Sequence, residues 1–203
     1  MKIILATHNS SKVKEISQLM SELDLEIVSL DDIGITEDVV EDGDTFAANA
    51  LKKARFAADQ VSEWVMADDS GMCIDALDGQ PGIHSARWAG DDVSDRAKAE
   101  FTLVKMENVP VGERGASFNT VAALIAPDGS EHLFEGILRG EIMTELRGPI
   151  RPHLPYDCLF KPEGYDQTYA QMSPDEKCRI SHRGIAFNKL KKYLREQTLN
   201  QNK

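Results

Sequence analysis

The stretch Trp64-Val65-Met66-Ala67-Asp68-Asp69-Ser70-Gly71-Met72-Cys73-Ile74 places two adjacent carboxylates and a glycine between two apolar runs. This pattern predicts a buried strand, a turn and a second strand. Carboxylates at the end of such a strand lie where α/β proteins usually bind their ligands. Two neighbouring like charges also tend to recruit a cation or to raise a pKa. An ordinary turn, in which Asp69 or Ser70 bonds its own backbone, is equally compatible with this stretch alone.

The bulk properties limit the classes of protein to consider. The 203 residues suffice for one domain with a full core or for two small lobes. Because no linker, repeat or low-complexity tract marks a boundary, we expect a single domain over residues 1–203. The net charge of −11 argues against a protein that binds the nucleic-acid backbone. A small anionic substrate held by a local basic pocket remains compatible with this charge.

Cysteine usage and hydropathy bear on the compartment. Cys73, Cys158 and Cys178 have neither metal-site nor redox spacing, so we expect free thiols in a reducing environment. Residues 1–6 form one short apolar strand rather than a signal peptide, and no run is long enough to span a membrane. The expectation is therefore a cytoplasmic protein without a membrane partner.

The N-terminal segment has the pattern of a strand, a polar loop and a helix. Apolar residues 2–6 precede the loop, and apolar residues at helical spacing follow it from Val13. A helix N-terminus offers free backbone N–H groups and a partial positive charge, which suit a phosphate. The alternative is a plain helix cap made by the side chain of Asn9 or Ser10. The loop consists of Thr7, His8, Asn9, Ser10, Ser11 and Lys12.

The middle of the chain alternates strands and helices. We expect strands over 25–30, 117–126 and 133–142, with a hairpin signal at Pro127-Asp128-Gly129 before the last of them. We expect helices over 45–61 and 94–106, with Thr45 and Ser94 as their N-caps. An acidic segment precedes the first of these helices, and such a run of charges usually forms a solvated loop. Its carboxylates are Glu37, Asp38, Glu41, Asp42 and Asp44. Within that helix, Lys53 borders the apolar stripe, so it either extends into a cleft or lies along the surface.

The C-terminal part has clear local signals. Ser173-Pro174-Asp175-Glu176 is a capping box with proline at the first helical position. Ser181 is expected to cap the last helix, which puts His182 and Arg183 in its first turn, where cations oppose the helix dipole. We interpret this conflict, together with nearby Lys177, as the sign of a bound anion such as phosphate.

Taken in order, five motifs resemble the inosine triphosphate pyrophosphatase family, the non-canonical purine nucleoside triphosphate pyrophosphatases. The resemblance spans nearly the whole chain. The motifs are Thr7-x-Asn9-x-x-Lys12, Thr45-Phe46-x-x-Asn49-Ala50 with Lys53, Ala67-Asp68-Asp69-Ser70-Gly71, Asp75-Ala76-Leu77-x-Gly79-x-Pro81-Gly82-x-x-Ser85-Ala86-Arg87, and Ser173-Pro174-x-Glu176-Lys177-x-x-Ile180-Ser181-His182-Arg183-Gly184.

The resemblance implies an α/β fold with a long mixed central sheet, flanking helices and two lobes around a cleft, usually as a homodimer. It implies Mg²⁺-dependent cleavage of ITP, dITP and XTP to the monophosphate and pyrophosphate. Residues 7–12 would cradle the triphosphate. Asp69 would bind the metal and act as the general base, and Glu41 would be a second metal-side carboxylate. The implied nucleotide contacts are Lys53, Ser70, Lys177, His182 and Arg183.

One segment departs from the family pattern. The family has Gly-Phe-Gly-Tyr-Asp-Pro where this chain has His153-Leu154-Pro155-Tyr156-Asp157-Cys158. The family's Phe stacks on the purine, whereas Leu154 offers apolar contact without an aromatic ring, and Pro155 removes an N–H and fixes φ. Tyr156 and Asp157 keep their places. Two alternatives therefore stay open: the same chemistry on a different base, and a nucleotide-binding regulatory protein without turnover.

Overall fold

A computed structural model describes the backbone of residues 1–201 and the side chains of residues 1–197. The residues that the structure describes form six strands and five α-helices. The strands are β1 (Lys2–Leu5), β2 (Glu26–Ser29), β3 (Trp64–Ile74), β4 (Gly115–Ile125), β5 (Glu131–Ile142) and β6 (Phe160–Pro162). The helices are α1 (Ser10–Met20), α2 (Phe46–Ala58), α3 (Asp95–Lys105), α4 (Pro174–Ile180) and α5 (His182–Gln201).

The strands form one mixed sheet with the order β2-β1-β3-β4-β5-β6. β1 pairs in parallel with both β2 and β3, and β5 pairs antiparallel with β6. The predicted α/β class, with a mixed central sheet and flanking helices, is confirmed. β4 and β5 are joined by the predicted hairpin, in which Gly129 has a φ of +84° that favours glycine.

Several helix starts follow the predicted capping chemistry. The side chains of Thr45 and Ser94 accept hydrogen bonds from backbone N–H groups in the first turns of α2 and α3. Ser173 and Glu176 form the predicted capping box of α4. These caps depend on residues three positions apart, so the sequence alone locates them well.

The prediction of a turn at Asp68 and Asp69 is wrong. β3 continues without a break from Trp64 to Ile74, and both carboxylates lie buried within it. Charged side chains normally interrupt a buried strand because desolvating them is costly. Here nearby cations offset that cost, as described below, so the strand can pass through the core.

The chain divides into two compact units, and β3, β4 and β5 each contribute residues to both. Unit 1 consists of Met1–Asp69, Thr120–Gly136 and Arg183–Lys203, and unit 2 consists of Ser70–Asn119 and Ile137–His182. In unit 1, one face of α2 packs its alanines, including Ala50 and Ala54, against Ile4 and Val65. In unit 2, a separate apolar cluster surrounds the buried rings of Phe160 and Tyr169.

Candidate active site

Asp68 anchors two cations of unit 1. Its carboxylate oxygens lie 3.0 Å from Lys12 Nζ and 3.1 Å from Arg183 Nε. Burial by itself would raise the pKa of Asp68, but the charges of Lys12, Arg183 and Lys53 outweigh it and hold that pKa well below its usual range. Asp68 therefore stays ionised at neutral pH and fixes two cations in place.

Arg183 also meets a second carboxylate. Its Nη1 lies 2.8 Å from Glu15 Oε2. Burial would lower the pKa of Arg183, but Glu15 and Asp68 together raise it. The conflict between this cation and the helix dipole, which the sequence indicated, is thus met by two carboxylates of the chain itself.

Asp69 has different neighbours, because successive residues of a strand point to opposite faces. Its Oδ2 accepts a hydrogen bond of 3.1 Å from Asn49 Nδ2, and its Oδ1 lies 3.7 Å from Lys53 Nζ. Burial raises the pKa of Asp69, Lys53 partly offsets this, and the charge of Glu41 raises it further. Asp69 is therefore more basic than an ordinary aspartate, which suits a group that accepts a proton.

Lys53 joins two carboxylates. Its ammonium lies 2.9 Å from Glu41 Oε1 as well as near Asp69. Burial would lower the pKa of Lys53, yet Asp69, Asp68 and Glu41 together raise it. Of the two alternatives for this lysine, the structure supports the buried one, since only 8% of the residue is exposed.

The polar loop after β1 forms the predicted helix cap. Asn9 Oδ1 accepts hydrogen bonds from the backbone N–H groups of Ser11 and Lys12, at 2.9 and 3.2 Å. Thr7 Oγ1 accepts from the N–H of Asn9 at 3.2 Å. The ring of His8 contacts Asp31 Oδ1 at 2.6 Å, at the start of a short 3₁₀ helix (Asp31–Ile33). Ser10 begins α1.

Unit 2 holds the remaining predicted site residues, which are Ser70, Leu154, Pro155, Tyr156, Asp157, Lys177 and His182. Lys177 Nζ donates to Asp157 Oδ2 at 2.6 Å, so Asp157 forms a buried ion pair. Tyr156 donates its hydroxyl to a backbone carbonyl at 2.6 Å. The ring of His182 stacks on Phe118 with a centroid distance of 4.7 Å.

The segment that departs from the family pattern has an irregular backbone. His153 has a φ of +62°, a conformation that glycine adopts without strain and other residues rarely do. Its N–H donates to Asp95 Oδ2 at 2.8 Å. Leu154 is half-buried, and the thiol of Cys158 is buried and contacts the carbonyl of Pro155. Burial raises the pKa of Cys158 to about 11, so this thiol is unreactive.

Sequence reasoning gave no role to three residues that contact the predicted ones. Asp68 was part of a motif. Asn49 lies one helical turn before Lys53, and this spacing is the signal that could have identified Asn49. Glu15 lies three residues after Lys12 on α1, a spacing too common to be informative.

The residues present suit a divalent cation bound together with a substrate. Within the described part of the chain, no group of three or more His, Cys, Asp and Glu side chains is placed to hold a metal ion. Asp69 and Glu41 nonetheless share the ammonium of Lys53, so two carboxylates face one cationic position. A hard cation that binds through one or two carboxylates and completes its shell with phosphate oxygens and water fits such a pair.

Comparison with known proteins places this chain in a family. The model of the Ham1 family matches residues 3–193 of the chain. The chain belongs to the Ham1 family. The resemblance drawn from the five motifs is therefore confirmed, and membership of a pyrophosphatase family suggests a requirement for a divalent metal.

Ham1 relatives match over nearly their full length. A protein of Desulforamulus reducens named dITP/XTP pyrophosphatase is 43% identical over 202 residues, covering 99% of each chain. A protein of Leuconostoc mesenteroides with the same name is also 43% identical and covers 96% of each chain.

Solved Ham1 structures have the same fold. The Ham1 protein of Staphylococcus aureus has a TM-score of 0.86 and 35% identity, covering 97% of this chain and 100% of its own. That of Coxiella burnetii has a TM-score of 0.87 and 36% identity, covering 97% and 99%. No helix in the part of the chain that the structure describes has both the length and the apolar character to cross a membrane.

Proposed function

We propose that this chain hydrolyses deaminated purine nucleoside triphosphates, namely ITP, dITP and XTP, to the monophosphate and pyrophosphate. The observation that carries the proposal is the buried cluster of unit 1, in which adjacent Asp68 and Asp69 engage Lys12, Arg183 and Lys53. Membership of the Ham1 family and the relatives named dITP/XTP pyrophosphatase support it.

The cluster matches the demands of phosphoanhydride hydrolysis. The reaction needs charge neutralisation, a positioned water and a base. Lys12, Lys53 and Arg183 supply positive charge toward the phosphates. The loop Thr7–Ser11 would add polar contacts to the triphosphate at the start of α1.

Asp69 is the proposed general base. One water is consumed: its oxygen bonds to phosphorus while the bridging bond between the α- and β-phosphates breaks. The water proton passes to the Asp69 carboxylate, and pyrophosphate leaves with the electron pair of the broken bond. The raised pKa of Asp69 favours this transfer. Lys53 stabilises the carboxylate form of Asp69 before the step.

Asp69 and Glu41 would hold the divalent metal, which we propose to be Mg²⁺. When bound, the metal neutralises phosphate charge and lowers the pKa of water. Mg²⁺ prefers one or two carboxylates together with phosphate oxygens, which is the donor set available here.

Unit 2 would supply the nucleotide contacts beyond the phosphates. We propose that Ser70, Lys177 and His182 contact the nucleotide, and that residues 154–157 contact the base. The ion pair of Lys177 with Asp157 would give this region a fixed, buried polar group. His153 is a candidate aromatic surface for the base.

The proposal also covers domain organisation, cellular compartment and oligomeric state. The two compact units would form a single nucleotide-hydrolysing domain that acts in the cytoplasm as a homodimer. Light scattering after size-exclusion chromatography should give twice the protomer mass of 22.5 kDa. A protomer-sized peak at micromolar concentration would contradict the dimer.

A substrate panel tests the proposed function. Purified protein with Mg²⁺ is incubated with ITP, dITP, XTP, ATP, GTP and CTP, and both pyrophosphate and the monophosphate are quantified. We expect dITP, ITP and XTP to be preferred. Preference for a pyrimidine or an ordinary purine would support altered base recognition through residues 153–158. Binding without pyrophosphate release would support the regulatory alternative.

A further inference from the structure

Asn49 is a fully buried polar side chain with two different partners. Its Oδ1 accepts a hydrogen bond of 2.8 Å from the backbone N–H of Gly43, and its Nδ2 donates to Asp69 Oδ2 at 3.1 Å. A backbone N–H can only donate, so the amide oxygen must face Gly43 and the NH₂ group must face Asp69. The orientation of the amide is thereby fixed.

Gly43 lies too close to α2 for any other residue. A Cβ atom at this position would lie 2.8 Å from Ala48 Cβ and 2.8 Å from Asn49 Oδ1. The glycine therefore allows the backbone to approach the helix closely enough for the hydrogen bond to Asn49. This contact fixes the end of the acidic segment against the N-terminal half of α2.

Glu41 lies two residues before Gly43, so the same contact limits where its carboxylate can lie. Glu41 reaches Lys53, which is one helical turn beyond Asn49 on α2. Asn49 thus holds Asp69 directly and Glu41 through the backbone of Gly43. The two carboxylates that share the ammonium of Lys53 are both positioned from one helix face.

We infer that Asn49 is a positioning residue that sets the spacing of Asp69 and Glu41 and thereby the affinity for the divalent metal. The inference rests on the proposed function, in which these two carboxylates hold the metal. The bond from Nδ2 engages Oδ2 of Asp69 and directs Oδ1 toward Lys53. Partners that orient metal-binding carboxylates commonly affect metal affinity by about 10- to 100-fold.

The test compares Asn49→Leu, which keeps the side-chain shape but removes both hydrogen bonds, with the wild type. Mn²⁺ binding to the free protein is measured by electron paramagnetic resonance, and turnover of dITP is measured as a function of Mg²⁺. We expect the Mn²⁺ dissociation constant and the half-saturating Mg²⁺ concentration to rise by about 10-fold or more. At saturating Mg²⁺, turnover should largely recover.

Two further variants keep the test decisive. Gly43→Ala should displace the acidic segment and raise the same two quantities even if Asn49→Leu fails to fold. Asp42→Asn is the matched control, because Asp42 lies in the same segment but forms an exposed ion pair with Lys52, and it should leave both quantities unchanged.

The outcomes separate the two proposals. If folded Asn49→Leu and Gly43→Ala keep the wild-type metal dependence and lose only thermal stability, Asn49 has a purely structural role and the inference fails. If the wild type itself releases no pyrophosphate from any nucleotide at any Mg²⁺ concentration, the proposed function fails instead.

Discussion

At the scale of single residues, the two adjacent aspartates have opposite acid–base properties. Asp68 contacts two cations, and its pKa is held low. Asp69 is buried beside Glu41 with one nearby cation, and its pKa is raised. Neighbouring carboxylates whose environments separate their pKa values can take separate tasks. Asp68 would fix cations, and Asp69 would accept a proton.

The first prediction concerns Asp69→Asn, which keeps the shape of the side chain and its bond to Asn49. We expect the rate of pyrophosphate release from dITP to fall by at least about 100-fold, because the base is lost. Nucleotide affinity, measured by equilibrium binding in the absence of Mg²⁺, should change little. Asp59→Asn, at the exposed end of α2, is the control and should behave like the wild type. Unchanged turnover in Asp69→Asn would exclude Asp69 as the base.

A second prediction concerns His8 and pH. Hydrogen bonds to the Asp31 side chain and to the Glu37 carbonyl raise the pKa of His8 above its ordinary value of 6.5. The charged ring donates to both, so its stabilising contribution is complete below pH 6.5 and is lost as pH rises through the raised pKa.

Urea unfolding at several pH values checks this prediction. The difference in free energy of unfolding between the wild type and His8→Gln should be greatest near pH 6. This pH lies within about one unit of the ordinary histidine pKa. The difference should shrink at higher pH. A difference that stays constant across this range would show that the charge of His8 contributes nothing to stability.

At the scale of elements, Arg114 joins the end of α3 to the end of β5 within unit 2. Its buried guanidinium donates to the carbonyls of Met106, Val109, Ile142 and Met143 at 2.7 to 3.1 Å. These carbonyls lie at or beyond the ends of their elements, and that of Met106 also accepts the N–H of Val109 at 3.1 Å. A guanidinium, with five N–H groups in a fixed plane, can serve all four.

The third prediction follows from this arrangement. Arg114→Met keeps much of the apolar stem but removes the hydrogen bonds of a buried guanidinium to four carbonyls, so the free energy of unfolding should fall by about 3 kcal/mol. Chemical denaturation measures the change. Arg96→Met on α3 removes an exposed ion pair with Glu100 and should cost less than about 1 kcal/mol. Equal losses in the two variants would contradict the role given to Arg114.

At the scale of the whole molecule, apolar clusters of the described residues stabilise each unit. One surrounds α2 and β1 in unit 1, and another surrounds Phe160 and Tyr169 in unit 2. Neither cluster includes Asp69 or Glu41. In addition, Lys53 already offsets part of the charge of these carboxylates.

The fourth prediction is that metal removal abolishes activity without unfolding the protein. EDTA should eliminate pyrophosphate release, because phosphate charge is no longer neutralised. Circular dichroism and the melting temperature should stay close to those of the untreated protein, and added Mg²⁺ should restore turnover. Unfolding on chelation would instead assign a structural metal to this chain.

The sequence by itself determined the features that depend on neighbouring residues. The caps made by Asn9, Thr45, Ser94 and Ser173 were predictable because a side chain bonds a backbone group two or three positions away. The hairpin at 127–129 was predictable for the same reason, since its glycine permits a positive φ. The order of the motifs also sufficed to indicate the family.

Only the tertiary structure decided that β3 runs through Asp68 and Asp69 without a turn. The cations that pair with Asp68 come from 56 residues before it and 115 residues after it, and no local pattern encodes such distances. The hydrogen bond from Asn49 to Asp69 was hidden for the same reason, because Asp69 lies 20 residues away on another element, although spacing places Asn49 and Lys53 on one helix face. A buried charge is stable only when folding brings its partners to it, so the burial of these carboxylates is a property of the whole fold.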